Sequence, residues 1–200
     1  MSAPKTLLAM AGADPNPHAW SSSVLLLIDM QNEYRHGKLP LPGVEPALAE
    51  AARLLERARR QQTPVVHVQH EGRAGGAFDP DSEAFALADP VAAGAEERRI
   101  VKRLPNAFAG TGLADLLEGL GRKNLIVGGF MTHMCVSSTV RAALDLGYGS
   151  TVVAGACATR DLPDGSGGVV SAAELQRAEL AALADRFAVV VPGAAETAER

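Results

Sequence analysis

The 200-residue chain is poor in cysteine, aromatic rings, excess positive charge and long apolar runs, and each shortage excludes something. Two cysteines, Cys135 and Cys157, cannot make a disulfide framework, so a reducing cytoplasm is the expected setting. Aromatic residues are only 4%, too few for a base-stacking nucleic-acid module. Lys and Arg number 19 against 23 Asp and Glu, a net charge of -4, which leaves no basic face for phosphates. No apolar run approaches the roughly eighteen residues that read as a membrane span. What is present is ordinary globular usage, 47% hydrophobic and 21% charged, so disorder over the whole length is excluded. A chain of this size suits one domain that buries roughly 70% of its unfolded surface without a metal or disulfide staple.

Residues 1–22 read as a mobile N-terminal arm, marked by Pro15, Asn16, Pro17 and the serines Ser21 to Ser23. Lys5 followed by Thr6 to Ala13 imitates a short signal peptide, but the apolar core is short and carries a single positive charge. Residues 23–200 read as a single domain. Its pattern alternates short apolar strands with helical stretches, which argues for an α/β fold whose parallel sheet is covered on both faces. Val24–Ile28, Pro64–Val68, Leu125–Val127, Thr151–Ala154 and Ala188–Val191 are the strands, with Arg99–Lys102 a weaker one at an edge. Helices are expected after Pro46, after Thr111, over Val136 to Leu144 before Gly147, and after the Ser171/Glu174 capping box. The last of these would carry a buried stripe of Leu175, Ala178, Ala182 and Leu183. Glu71 to Arg98 has no such pattern and reads as a long loop over the site, with one helical turn near Ser82 to Leu87.

Parallel sheets place their sites at the carboxyl ends of strands. Three reactive groups fall there: Asp29, Lys102 and Cys135, the last at the start of a helix. A nearby ammonium and a helix N-terminus both favour a thiolate, and a carboxylate can take the thiol proton and return it to a leaving group. Each also has a plain structural reading: Asp29 as a turn cap, Lys102 as a solvated charge, Cys135 as a small buried hydrophobe. His67 and His70 suggest a metal, with Glu71 as a third ligand, but residues three apart on a strand face opposite ways. His133 is closer to a wall residue than to half of a Cys–His dyad. Gly128-Gly129 is not a phosphate loop, and no dinucleotide fingerprint follows the first strand.

Three stretches carry a resemblance. Leu25-Leu26-Leu27-Ile28-Asp29-Met30-Gln31-Asn32-Glu33-Tyr34 resembles the opening motif of the isochorismatase-like cysteine hydrolases. Lys102 to Thr111 resembles their lysine motif, and Gly128 to Val136 their nucleophile motif. The resemblance runs from about Val24 to Val191. It implies a three-layer α/β/α fold with a six-stranded parallel sheet in the order 3-2-1-4-5-6. It implies Asp29 as general base and acid, Lys102 as the charge that holds the other two in register, and Cys135 as nucleophile. It further implies a cis peptide at Phe130–Met131, and backbone N–H groups of Met131 and Cys135 as an oxyanion hole. Gln31, Tyr34, Phe108 and His133 are the expected substrate-binding residues. A small-molecule substrate, no metal or other cofactor, and a homo-oligomer are expected.

The chain departs from the family pattern in places. Nicotinamidases carry an Asp-x-His metal pair where this chain has His70-Glu71-Gly72, so that metal site is not expected here. Glu33-Tyr34 replaces the usual Asp-Phe, and Gly155 stands where an Asp is common. Cys157 reads as a core residue. A retained Cys135 favours acyl transfer, hence amide hydrolysis, over vinyl ether or ester cleavage; a non-catalytic module of the same fold is the third reading.

Overall fold

A computed structural model describes residues 3–198; the first two residues of the arm and the last two of the domain lie outside it. In chain order the elements are α1 (Leu7–Met10), β1 (Ser23–Ile28), α2 (Glu33–His36), α3 (Val44–Arg60), β2 (Val65–His70), β3 (Arg98–Lys102), α4 (Leu113–Leu120), β4 (Asn124–Phe130), α5 (Ser137–Asp145), β5 (Gly149–Ala158), β6 (Leu162–Pro163), β7 (Val169–Val170), α6 (Ala172–Arg186) and β8 (Val189–Val191). Six strands form a parallel sheet in the order β3-β2-β1-β4-β5-β8. This is the expected order, because β6 and β7 form a separate antiparallel ribbon. That ribbon has two residues per strand, too few for an alternating pattern to register.

β1 is buried along its whole length, which is why it reads as a continuous apolar run. Leu25 and Leu27 pack toward Leu48, Ala51, Leu54, Leu55 and Ala58 of α3. Val24, Leu26 and Ile28 face the other way, toward Leu113 and Leu117 of α4 and Val140 and Ala143 of α5. Each such side chain contributes roughly 1.5–3 kcal/mol by leaving water, so the central strand is rigidly anchored on both faces. α6 starts at the expected capping box. Its expected buried stripe is not there: only Leu183 is fully buried, while Ala178 and Ala182 are exposed. The helix lies over the β5/β8 flank of the sheet and sinks only Leu183 fully into the core there. In the arm, Trp20 is fully buried and its indole N–H donates to Thr197 Oγ1 at 3.3 Å. The Leu7 N–H donates to Asp185 of α6 at 2.8 Å, so the described part of the arm lies against the domain.

Two glycines let the sheet close where the site begins. Gly129, at φ 153°, pairs with Ile28 across β1/β4, and a Cβ there would lie 2.7 Å from Ile28 Cβ and closer still to the Ile28 carbonyl oxygen. At Gly128 a Cβ would sit 2.9 Å from Ala156 Cβ. Backbone cannot yield as a flexible side chain can. Gly129→Ala is therefore expected to lower unfolding free energy by about 2 kcal/mol or more in denaturant titration. An unchanged transition midpoint would contradict this packing.

Candidate active site

β1 ends at Ile28, and Asp29 follows in the left-handed region at φ 52°, a conformation Asp tolerates better than most residues. The turn is pinned from both sides. Asp29 N–H donates to Val68 of β2, and Gln31 N–H donates back to the Asp29 carbonyl. Lys102 ends β3, two strands away, in register with His70 at the end of β2. β4 ends at Phe130, and the Phe130–Met131 peptide is cis, as the motif implied. A π-helical turn, Thr132–Val136, then carries Cys135 and runs directly into α5. Lys102 reaches across β2 to bring the three together. Its Nζ lies 2.6 Å from Asp29 Oδ2 and 3.2 Å from Cys135 Sγ. All three residues are buried, with exposures of 0%, 1% and 4% for Asp29, Lys102 and Cys135.

The electrostatics differ from the expectation for the thiol. Burial pushes Cys135 up to about 12, the negative charge of Asp29 pushes the same way, and Lys102 only partly opposes them. Two things account for the difference. Desolvation of a buried thiolate outweighs one neighbouring cation, and the cysteine sits inside a π turn continuous with α5 rather than at a free helix start. Burial also pushes the Asp29 carboxyl up to about 6, against the lowering effect of Lys102. Between those values the resting pair is a carboxylate beside a thiol. Apart from the ion pair, neither Asp29 oxygen has a hydrogen bond of regular geometry among the described residues, so the carboxylate keeps acceptor capacity for a proton.

The long loop is tied onto this site. Ala88 N–H donates to the Met30 carbonyl, Asn32 N–H donates to Ala86, and Gln31 bridges Leu87. The buried Glu33 carboxylate accepts from the Lys38 and Phe78 N–H groups. The helical turn expected in the loop is Glu83–Phe85, and a second, not expected, lies at Asp89–Val91.

The expected pocket residues fare unevenly. Tyr34 is buried edge-on against Phe130 at 5.6 Å and Phe78 at 5.2 Å. Its phenol is held well above its usual range by burial and then by the charges of Asp29 and Cys135. His133 is half-buried, with Nδ1 2.5 Å from Thr159 Oγ1 and, among the described residues, no hydrogen-bond partner on Nε2. Gln31 is not a free wall residue: its amide takes the His70 N–H and donates to the His70 and Phe85 carbonyls. A fully buried amide must satisfy itself, and it does so on the main chain. Phe108 is not brought to the thiol either. Its ring stacks on Tyr148 at 6.2 Å, and Tyr148 precedes β5 at the opposite end of the sheet.

His67 and His70 part company as strand alternation requires. His67 bonds Glu97 at 2.8 Å, whereas His70 turns into the site, its Nδ1 3.0 Å from Lys102 Nζ. A polar residue ending β2, in register with Lys102, is the sequence signal that marks His70. Arg160, just past β5, is a group that the sequence does not single out; its charge is felt at both Tyr34 and His133. Gly155 lies in a bulge of β5, where its N–H donates to Pro192 at 2.8 Å and a Cβ would crowd that carbonyl. Cys157 is buried, unpaired and pushed up to about 12 by burial, as a core thiol should be.

Comparison with known proteins agrees with this geometry. The isochorismatase domain description matches residues 23–195. A solved isochorismatase from Pseudomonas putida KT2440 superposes with a TM-score of 0.92 at 44% identity, covering 96% of this chain and 99% of that one. The secreted isochorismatase effector Isc1 of Verticillium dahliae is 35% identical over 184 residues, 92% of this chain and 94% of its own. A streptothricin hydrolase of Streptomyces noursei is 35% identical over 173 residues, 86% of this chain and 63% of its own.

Proposed function

The chain belongs to the isochorismatase family of hydrolases, and from that premise we propose that it cleaves the C–N bond of a small, non-peptide amide through a thioester on Cys135. The observation that carries this reading is the buried ammonium of Lys102, which touches both the Asp29 carboxylate and the Cys135 thiol. A thiol held near 12 does not attack as a preformed anion at neutral pH. It attacks as its proton passes to Asp29, which general-base catalysis supplies from a carboxylate in contact range. Sγ bonds the carbonyl carbon, the oxygen gains negative charge, and the Met131 and Cys135 N–H groups receive it. The C–N bond then breaks, and the proton on Asp29 leaves with ammonia or an amine. Water attacks the thioester, giving its proton to Asp29. The acid departs, and that proton returns to Sγ.

A streptothricin hydrolase among the relatives supports a small-molecule substrate. A sulfur nucleophile supports acyl transfer over vinyl ether cleavage. A reducing cytoplasm fits two free thiols, although the Verticillium relative is by name secreted; among the described residues no helix is long and apolar enough to cross a membrane.

Ammonia release from a panel of small primary amides and ureido acids tests the reading. Release that disappears in the Cys135→Ala variant is the expected result. A silent panel with a Cys135 that still alkylates rapidly would point to ester or vinyl ether hydrolysis, and silence with a sluggish thiol to a non-catalytic module.

A further inference from the structure

Asp29, His70 and Cys135 place an oxygen, a nitrogen and a sulfur atom within 4.8 Å of one another, a grouping that would suit a metal ion. A side chain lies among them instead. Lys102 Nζ is 2.6 Å from Asp29, 3.0 Å from His70 Nδ1 and 3.2 Å from Cys135 Sγ. An ammonium has three N–H donors and no acceptor, so three neighbours engage all of them. His70 must therefore accept at Nδ1, which makes it a neutral ring with its proton on Nε2. Burial and the Lys102 charge hold its pKa down to about 4, which agrees with that tautomer.

His70 is itself fixed. Gln31 clasps its backbone N–H and carbonyl, and its ring stands edge-on to Phe78 at 5.0 Å. The partner it holds is the one that needs holding, because a lysine head rides on a flexible four-carbon stem. With two partners only, Nζ can swing toward the carboxylate and abandon the thiol. The third bond, to a residue of β2, anchors Nζ where it stays in reach of both.

We propose that His70 is a positioning residue: by accepting the third N–H of Lys102 it keeps the ammonium shared between Asp29 and Cys135, and so keeps the thiol proton within reach of the carboxylate. This rests on the reading of Cys135 as nucleophile and deepens it. It also accounts for Gln31, a fully buried amide whose hydrogen bonds hold the His70 main chain in place.

The test follows alkylation of the Cys135 peptide by iodoacetamide at neutral pH in the wild type, His70→Phe and His70→Gln, with melting temperatures for all three. No substrate is needed, so the result does not depend on which bond the enzyme cleaves. Loss of a charge-assisted hydrogen bond predicts alkylation slower by about 10- to 100-fold in His70→Phe. His70→Gln, whose amide oxygen can accept, is expected to recover most of that loss; a purely structural ring would not be rescued by a smaller polar side chain. On any amide found to turn over, kcat should fall in His70→Phe with KM nearly unchanged. The acid limb set by Asp29 should also move to lower pH, since Lys102, the cation that faces Asp29 along with Cys135 and Tyr34, is then free to close on the carboxylate. A rapidly alkylated wild type with an equally rapid His70→Phe would overturn the role of His70 alone, as would a folded His70→Gln as slow as the Phe variant. A wild-type Cys135 no more reactive than Cys157 would overturn the nucleophile and this proposal together.

Discussion

Cys135→Ala is expected to abolish turnover while the protein folds and melts almost as the wild type does. The two halves of that expectation have separate causes. In this mechanism Sγ is the atom that bonds the carbonyl carbon, while Asp29 is ion-paired with Lys102 and His70 faces the same ammonium. Removing the nucleophile from a unit that works together costs about a thousandfold or more in kcat, whatever the remaining groups contribute. The fold, by contrast, loses one buried sulfur and one hydrogen bond from a lysine that keeps two other partners. A change of about 1 kcal/mol is the scale of an ordinary point substitution. Cys135→Ser sharpens the result. It nearly preserves shape and the bond from Lys102, yet a hydroxyl gives up its proton far less readily than a thiol, so it too should be inactive. Ammonia release and a melting curve on both variants decide the matter. A folded alanine variant with a tenth of wild-type activity would remove Cys135 from the chemistry.

The parts of the molecule that were legible in the sequence are those whose cause is local. β1 and β4 show as unbroken apolar runs because both faces are covered, and Asp29 and Cys135 show because each follows such a run. The helix at Ser171 shows because a capping box is a contact between residues three apart. What was not legible depends on where distant segments end up. Nothing within Lys102 to Thr111 says that Phe108 turns to Tyr148 rather than to the thiol. Gln31 sits in the motif beside Asp29, but its occupation by His70 and Phe85 is fixed by a loop about fifty residues further on. The state of the Cys135 proton is not legible either, because proximity to a lysine can be read from a motif whereas depth of burial cannot, and burial is the larger effect here. The same holds for α6: helical spacing reveals which residues share a face, not whether anything lies against it.

Activity and the contribution of Asp29 to stability are expected to run in opposite directions through pH 6, and Asp29→Asn should uncouple them. The base works only as a carboxylate, and burial has moved that ionisation from 3.8 to about 6, so turnover should rise through that region as pH increases. The consequence for folding has the opposite sign. A group whose folded pKa lies above its unfolded value holds its proton more tightly when folded. Its stabilising contribution is complete below about 3.8 and is lost as pH rises through about 6. A shift of about two units corresponds to about 3 kcal/mol. Total stability does not display this alone, because His70 and His67, both lowered by burial, contribute stability that grows with pH over part of the same window. The difference between wild type and Asp29→Asn removes them. That difference, measured by denaturant unfolding from pH 4 to pH 8, should shift against the wild type by about 3 kcal/mol as Asp29 ionises, while the variant stays inactive throughout. A flat difference would mean that Asp29 is not desolvated as its burial indicates, and a rate that does not fall below pH 6 would mean that it is not the base. If both dependences are found, the ionisation that makes the carboxylate competent is the same one that weakens the fold. Lys102 then has a second duty besides catalysis, since it limits how far burial can push a charge that the reaction requires.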